Sequence, residues 1–157
     1  MPPLTIEDEA ISTSGALSVL YAADDELKRR YGGDGDELHL HADELAPPLG
    51  CFLVARIDGA IAGGVGLRPI GPSAEHLAEI KRLWVRPDLR RAGIALSLMN
   101  EIESRARALG YERLYLETGP KQPEAVALYN ASGWTSVKEY PADVFCHPIS
   151  HRYTKVL

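Results

Sequence analysis

The segment that most limits the fold runs from His76 to Gly110, where an alternating stretch, a proline and a long amphipathic stretch follow one another. In "HLAEIKRLWVRP", Leu77, Glu79, Lys81, Leu83 and Val85 alternate with Ala78, Ile80, Arg82 and Trp84, the period of a strand, and Pro87 ends it. Strict alternation puts Glu79 on the face of Lys81 and Leu83, opposite Trp84. From Gly93 to Leu109 the apolar residues Ile94, Ala95, Leu98, Met99, Ile102, Ala106 and Leu109 recur at helical steps, and Gly110 is the expected stop. Glu101 with Arg105, and Glu103 with Arg107, are spaced to pair on the outer side of that helix.

The rest of the chain extends the same plan. "SGALSVLYAADDELKRRYGG" has helical spacing up to Gly32 and Gly33, as one helix or two short ones. Asp58-Gly59 between two apolar runs predicts a hairpin of antiparallel strands. "YERLYLET" reads as a strand, "QPEAVALYNAS" as a short helix with Pro123 near its first position, and "HRYTKVL" as a last strand with an edge open for pairing. Strands alternating with helices imply parallel pairing, so the expectation is a mixed α/β sheet with helices on its faces. No repeat or long Pro/Gly/Ser linker divides the chain, and residues 1–157 are expected to form a single domain.

A net charge of -5 argues against a broad nucleic-acid or acidic-membrane partner, which needs a basic face. "MPPLTIEDEA" lacks the pattern of a signal peptide, and no apolar run approaches the ~20 residues of a membrane helix, so a soluble cytoplasmic protein is expected. Cys51 and Cys146 match no metal or redox spacing and read as reduced thiols. His39 and His41 could begin a metal site but lack further ligands at clear spacing, and His147 and His151 read likewise as solvated; no metal is expected.

Between strand and helix lies "RRAGIA", Arg90 to Ala95. The first N–H groups of a helix lack internal partners, and with the helix dipole they form an anion site that small residues let a phosphate approach. Arg90 and Arg91 could add charge-assisted contacts. A turn relieved by Gly93 with two solvated arginines would explain the hexapeptide equally well.

In context the pattern resembles the GNAT superfamily of acetyl-CoA-dependent N-acetyltransferases, whose signature is a strand, then Arg or Gln-x-x-Gly-x-Gly or Ala, then a long helix. Arg90, Gly93 and Ala95 match it, and "AVALYNASGW" resembles the family's tyrosine-bearing helix, so the likeness runs from Cys51 to Trp134. It implies a GNAT-like mixed central sheet, largely antiparallel with a splayed parallel pair and helices on both faces. It also implies acetyl-CoA as cosubstrate. The backbone of Arg90, Arg91, Ala92, Gly93, Ile94 and Ala95 would hold the pyrophosphate, and that of Leu83, Trp84 and Val85 the pantetheine arm. Ala92 stands where a polar residue is common, removing one side-chain contact.

The implied reaction is direct attack of an amine on the thioester in a ternary complex. The amine must lose a proton, the carbonyl oxygen needs a donor, and the leaving thiolate needs a proton or hydrogen bond. Tyr129 occupies the position that serves the thiolate, although an amphipathic core tyrosine is the plainer alternative. Glu79 is the candidate base, directly or through water, against an ion pair with Lys81 or another cation; Glu75 and His76 are weaker substitutes. Gln122 would contact the cofactor or cap its helix, and Asn130 would reach the CoA arm or face solvent. The acceptor pocket is expected among the N-terminal helical region, the loop Asp34 to Glu44 and the segment Tyr140 to His151. Asp36, Glu37, Asp43, Glu44 and Asp143 there would suit a cationic amine or simply keep loops solvated. A non-catalytic acyl-CoA-binding sensor or partner-binding module is the alternative to an enzyme. The acceptor, small molecule or protein, is open, and a homodimer is compatible with the family.

Overall fold

A computed structural model describes residues 3–32 and 41–157. In chain order the elements are β1 (Leu4–Asp8), α1 (Ser14–Tyr31), β2 (Cys51–Ile57), β3 (Ala60–Ile70), β4 (Leu77–Val85), α2 (Ile94–Ala108), β5 (Arg113–Thr118), α3 (Pro123–Ala131), β6 (Thr135–Val137) and β7 (His151–Val156). The strands form one sheet in the order β1-β2-β3-β4-β5-β7-β6, antiparallel throughout except for β4 and β5. The result is a mixed α/β sheet, largely antiparallel with one parallel pair.

Local chemistry sets the boundaries. Thr13 caps α1 by accepting the Ala16 N–H at 3.2 Å, and Gly32 ends it with φ 75°. The β2–β3 turn places Asp58 at φ 53° and Gly59 at φ 80°, the left-handed pair that a tight hairpin demands. Residues of β2 alternate between two apolar layers. Leu53 and Ala55 pack with Leu98, Met99 and Ile102 of α2, while Phe52 and Val54 pack with Ala16 and Val19 of α1. α3 joins the α2 layer through Tyr129, so helices cover both faces of the sheet.

Strict alternation fails in β4. Lys81 pairs with Gly66 and Trp84 with Gly64, so Arg82 and Leu83 together oppose Val65, and Arg82 adopts φ 59°. This bulge shifts the phase of the strand by one residue. Leu83 and Val85 therefore join Ala78 and Ile80 in the α2 layer, and Trp84 joins the α1 layer, on the side of Glu79 and Lys81. The expected grouping of Glu79 with Leu83, opposite Trp84, is thus reversed. Arg82 is fixed by Asp24 of α1 at 2.9 Å.

Two further expectations are corrected. Glu101 and Arg105 do pair, at 3.3 Å, but Glu103 is buried and takes Lys155 of β7 at 3.1 Å instead of facing out toward Arg107. β7 is interior: it bonds β5 on one side and β6 on the other, so it offers no free edge for pairing. His39, Asp36 and Glu37 fall outside the described residues. Both cysteines are free, and no described helix is long and apolar enough to cross a membrane.

Candidate active site

The parallel pair is short. β4 and β5 are in register from Leu77 with Arg113 to Glu79 with Tyr115, and then part. β4 keeps its bonds to β3 as far as Val85, so beyond Glu79 its other edge has no strand beside it among the described residues. A cavity of about 420 Å³ opens there, walled by β4 from Ile80 to Trp84, by β5 and its turn from Leu116 to Pro120, by Tyr129 of α3, by α1, and by His147, Ile149 and Ser150.

Leu83, Trp84, Gln122 and Tyr129 come together on this wall. Val85 lies behind it, buried, with its carbonyl accepting Arg90 Nε–H at 2.8 Å. Arg90 also binds Glu26 of α1 at 2.5 Å, so its guanidinium is engaged within the protein. Asn130 is off the cavity: it is exposed, and its Oδ1 accepts the Tyr153 hydroxyl at 3.1 Å.

The turn Arg90 to Ala95 lies next to the cavity, joined to it through the Arg90–Glu26 contact. Arg91 has φ 65° and Gly93 φ 84°, and Gly93 is the residue before α2 where the sequence suggests its first turn. Left-handed residues interleaved with ordinary ones turn successive N–H groups toward a common concavity, and here that concavity meets the unsatisfied N–H groups that open α2. A Cβ built on Gly93 meets nothing within 4 Å, so the space beside the backbone is open. These residues fit a phosphate group.

Tyr129 is buried, tilted against Tyr153 at 5.6 Å and edge-on to Trp134 at 6.0 Å between ring centroids. Its hydroxyl takes no hydrogen bond among the described residues. Burial, with Tyr153 adding to it, raises its pKa above the ordinary tyrosine value, so the phenol stays protonated and acts as a donor. Gln122 does not cap α3 with its side chain. Its Oε1 instead accepts the Gly119 N–H at 3.0 Å and the Tyr31 hydroxyl at 3.2 Å, tying the β5–α3 turn to α1.

Glu79 is fully buried and is not on the cavity wall. Its Oε1 accepts Arg68 Nε–H at 2.8 Å, and its Oε2 accepts the Tyr140 hydroxyl at 2.7 Å. Arg68 also meets Glu44 at 3.1 Å, and Lys81 Nζ is 3.9 Å from Glu79. A carboxylate whose two oxygens are both occupied this way is the ion-pair alternative, with Arg68 as the cation. Tyr140 is held well above the usual phenol range by burial and then by the Glu79 charge. Glu75 and His76 sit at the start of β4, exposed and away from the cavity.

The expected acids Asp43, Glu44 and Asp143 do not line the cavity either. Among the described residues, the carboxylates on its wall are Glu26 and Glu117, which sequence reasoning passed over, as it did the roles of Lys81 and His147. Glu117 lies in "YLET", in plain strand alternation, and nothing local marks it. The return of the chain at His147 to Ser150 surrounds it, far along the sequence.

Comparisons with known proteins bear on the family and the fold. A family model described as the Acetyltransferase (GNAT) family matches residues 18–134. An IAA acetyltransferase of Azospirillum brasilense is 34% identical over 134 residues, covering 85% of this chain and 86% of that protein. An N-acetyltransferase of Schizosaccharomyces pombe is 31% identical over 147 residues, 89% of each chain. Among solved structures, one described as an acyl-CoA N-acyltransferase from Klebsiella pneumoniae has a TM-score of 0.80 at 25% identity, covering 98% of this chain and 97% of that one. A GNAT family acetyltransferase from Elizabethkingia anophelis with acetyl-CoA bound shares the fold at a TM-score of 0.68 and 21% identity, each chain covered to 98%.

Proposed function

The chain belongs to the GNAT family of acetyl-CoA-dependent N-acetyltransferases, and from that premise we propose that it acetylates an amine by direct attack, with both substrates held in the cavity where β4 and β5 part. The observation that carries this reading is the divergence after Glu79 and Tyr115, which frees one edge of β4 beside a protonated, buried Tyr129. Acetyl-CoA supplies the acyl thioester; the remaining work falls to this chain.

The free edge of β4 along Leu83, Trp84 and Val85 would hold the pantetheine arm by backbone hydrogen bonds. The N–H groups from Arg90 to Ala95 would hold the pyrophosphate. Because Arg90 is already committed to Glu26 and to the Val85 carbonyl, the backbone rather than that side chain does the holding. Gln122 shapes the wall by fixing the Gly119 turn against Tyr31.

Tyr129 would donate a hydrogen bond to the departing sulfur. With its pKa raised above that of an ordinary tyrosine, and a thiol near 8.5, full transfer of its proton is uphill, so it stabilises the thiolate by hydrogen bonding. Glu79, saturated by Arg68 and Tyr140, keeps Lys81 and Tyr140 in place from behind the wall. It does not reach the cavity, so the proton of the amine must go to another group or to water.

Measuring CoA release from acetyl-CoA with a panel of primary amines tests the proposal. Turnover that falls with Tyr129→Phe is the expected result. Tight acetyl-CoA binding with no release on any amine would favour the sensor instead.

A further inference from the structure

Glu117 stands on β5 two residues past the last pair with β4, at the cavity wall, and its side chain is only 6% exposed. Its two oxygens are in different situations. Oε2 accepts the His147 backbone N–H at 2.9 Å and the Ser150 hydroxyl at 2.8 Å. Oε1 is buried and has no hydrogen-bond partner among the described residues. Lys81 Nζ and His147 Nε2 approach it only to 3.9 and 4.0 Å, beyond hydrogen-bond reach. A buried carboxylate oxygen without a donor is costly unless something else supplies one, and the residue that carries it lines the cavity.

We propose that Glu117 Oε1 is where the acceptor's ammonium binds and gives up its proton. This rests on the acetyl-transfer reading of the same cavity and adds the group that makes the amine a nucleophile. His147 and Ser150, themselves on the wall, fix the carboxylate from its other oxygen, so Oε1 has one orientation. Lys81, 3.9 Å from both Glu79 and Glu117, brings a positive charge close to the incoming ammonium. A like charge disfavours the protonated amine, so the carboxylate attracts the cation while the lysine eases its deprotonation. The other titratable groups around this position are Tyr140, which responds to the Glu117 charge, and Glu26 and Tyr31, which α1 contributes to the cavity.

The proton count closes. One N–H bond of the ammonium breaks as an O–H bond forms on Oε1. The neutral nitrogen then forms the C–N bond as the C–S bond breaks, its electron pair leaving on sulfur. The amide nitrogen sheds its second proton, the thiolate gains one, and the net proton passes from Glu117 to water past the partly exposed His147. The acceptor class is therefore a primary amine that is cationic in solution and narrow enough to bring its nitrogen to the wall between β4 and β5.

The test uses the whole chain with acetyl-CoA and phenethylamine, spermidine, glycinamide and Nα-acetyl-lysine as probes. CoA release is followed from acidic to alkaline pH, and CoA binding by calorimetry. Glu117→Gln keeps an acceptor for His147 and Ser150, and should lower kcat/KM by about 10²-fold or more. It should leave CoA binding unchanged, and its deficit should shrink as pH rises and the free amine becomes abundant. Glu117→Asp, which keeps the charge but withdraws it, should raise KM for the amine more than it lowers kcat, and serves if the glutamine variant does not fold. If the wild type turns over and Glu117→Gln matches it within about twofold at every pH, the assignment of Glu117 falls and acetyl transfer stands. Loss of CoA binding in a folded Glu117→Gln would also overturn the assignment. If the wild type binds CoA and releases none with any of these amines, the acetyl-transfer reading falls and takes the assignment with it.

Discussion

Arg68 grips Glu79 across directly paired positions of β3 and β4, its Nε at 2.8 Å and its Nη2 at 2.7 Å from the same oxygen. Both side chains are almost wholly buried, so each depends on the other's charge. Removing one member of such a pair typically costs about 3–5 kcal/mol, because the survivor is left uncompensated. Glu79→Ala should therefore lower the urea midpoint sharply, and Glu79→Leu combined with Arg68→Met should recover much of the loss. If Glu79→Gln abolished turnover with the urea midpoint unchanged, Glu79 would be restored as the base.

Gly93 should matter through its backbone. A Cβ there meets nothing within 4 Å, but φ 84° is left-handed, which costs an L-residue about 1–2 kcal/mol. Gly93→Val should weaken CoA binding by about tenfold or more, as the turn relaxes away from the phosphate-binding conformation. Arg91→Ala should cost little, and Arg91→Gly, which relieves φ 65°, should bind CoA at least as well as wild type. Calorimetric titration with CoA checks all three. Arg91→Ala as the more damaging change would defeat the backbone cradle.

Tyr129→Phe removes a hydroxyl that holds no partner among the described residues, so folding should barely notice. The rate should fall by about 10²-fold with little change in KM for acetyl-CoA, since the hydrogen bond forms only as sulfur leaves. Since burial raises the phenol's pKa, the wild-type rate should show no loss of this donor at or below pH 10, the ordinary value for tyrosine.

Three buried groups make the fold sensitive to alkali. Burial pushes the Cys51 thiol up to about 11 and raises the phenols of Tyr129 and Tyr140 above their ordinary value. All three stay protonated in the native state after the unfolded chain has begun to lose its protons, near 9 for the thiol and 10 for the phenols. The native state then binds more protons, so stability is fully present below about pH 9 and falls as pH climbs through the raised values. Urea midpoints measured on either side of pH 9 check the sign. In the same range iodoacetamide should label the partly exposed Cys146 well before Cys51.

Much of this architecture is readable in the sequence because it rests on short-range rules. The Asp58-Gly59 turn, the start of α2 at Gly93 and its stop at Gly110 are each set by neighbours along the chain. The bulge at Arg82 is not, since an arginine in a left-handed conformation carries no sequence mark and is held by Asp24 of a distant helix. Glu103 reads as an outward-facing residue of α2 until Lys155 arrives from β7 to pair with it. The wall of the site divides the same way. Tyr129 is marked by its motif, whereas Glu117 gains its meaning from a loop some thirty residues further on.

The slip at Arg82 makes β4 behave as two rulers laid end to end with their marks out of step. Residues up to Lys81 are counted from the start of the strand, and residues from Leu83 onward from its end. Deleting Arg82 would restore an unbroken count, and one half would then have to turn over. Either Trp84 would swing from the α1 layer into the α2 layer, or Glu79 and Lys81 would be driven into the apolar packing around Leu98 and Ile102. The strand thus tolerates substitution far better than a change in length, and the two halves can vary independently only while that extra residue stays between them.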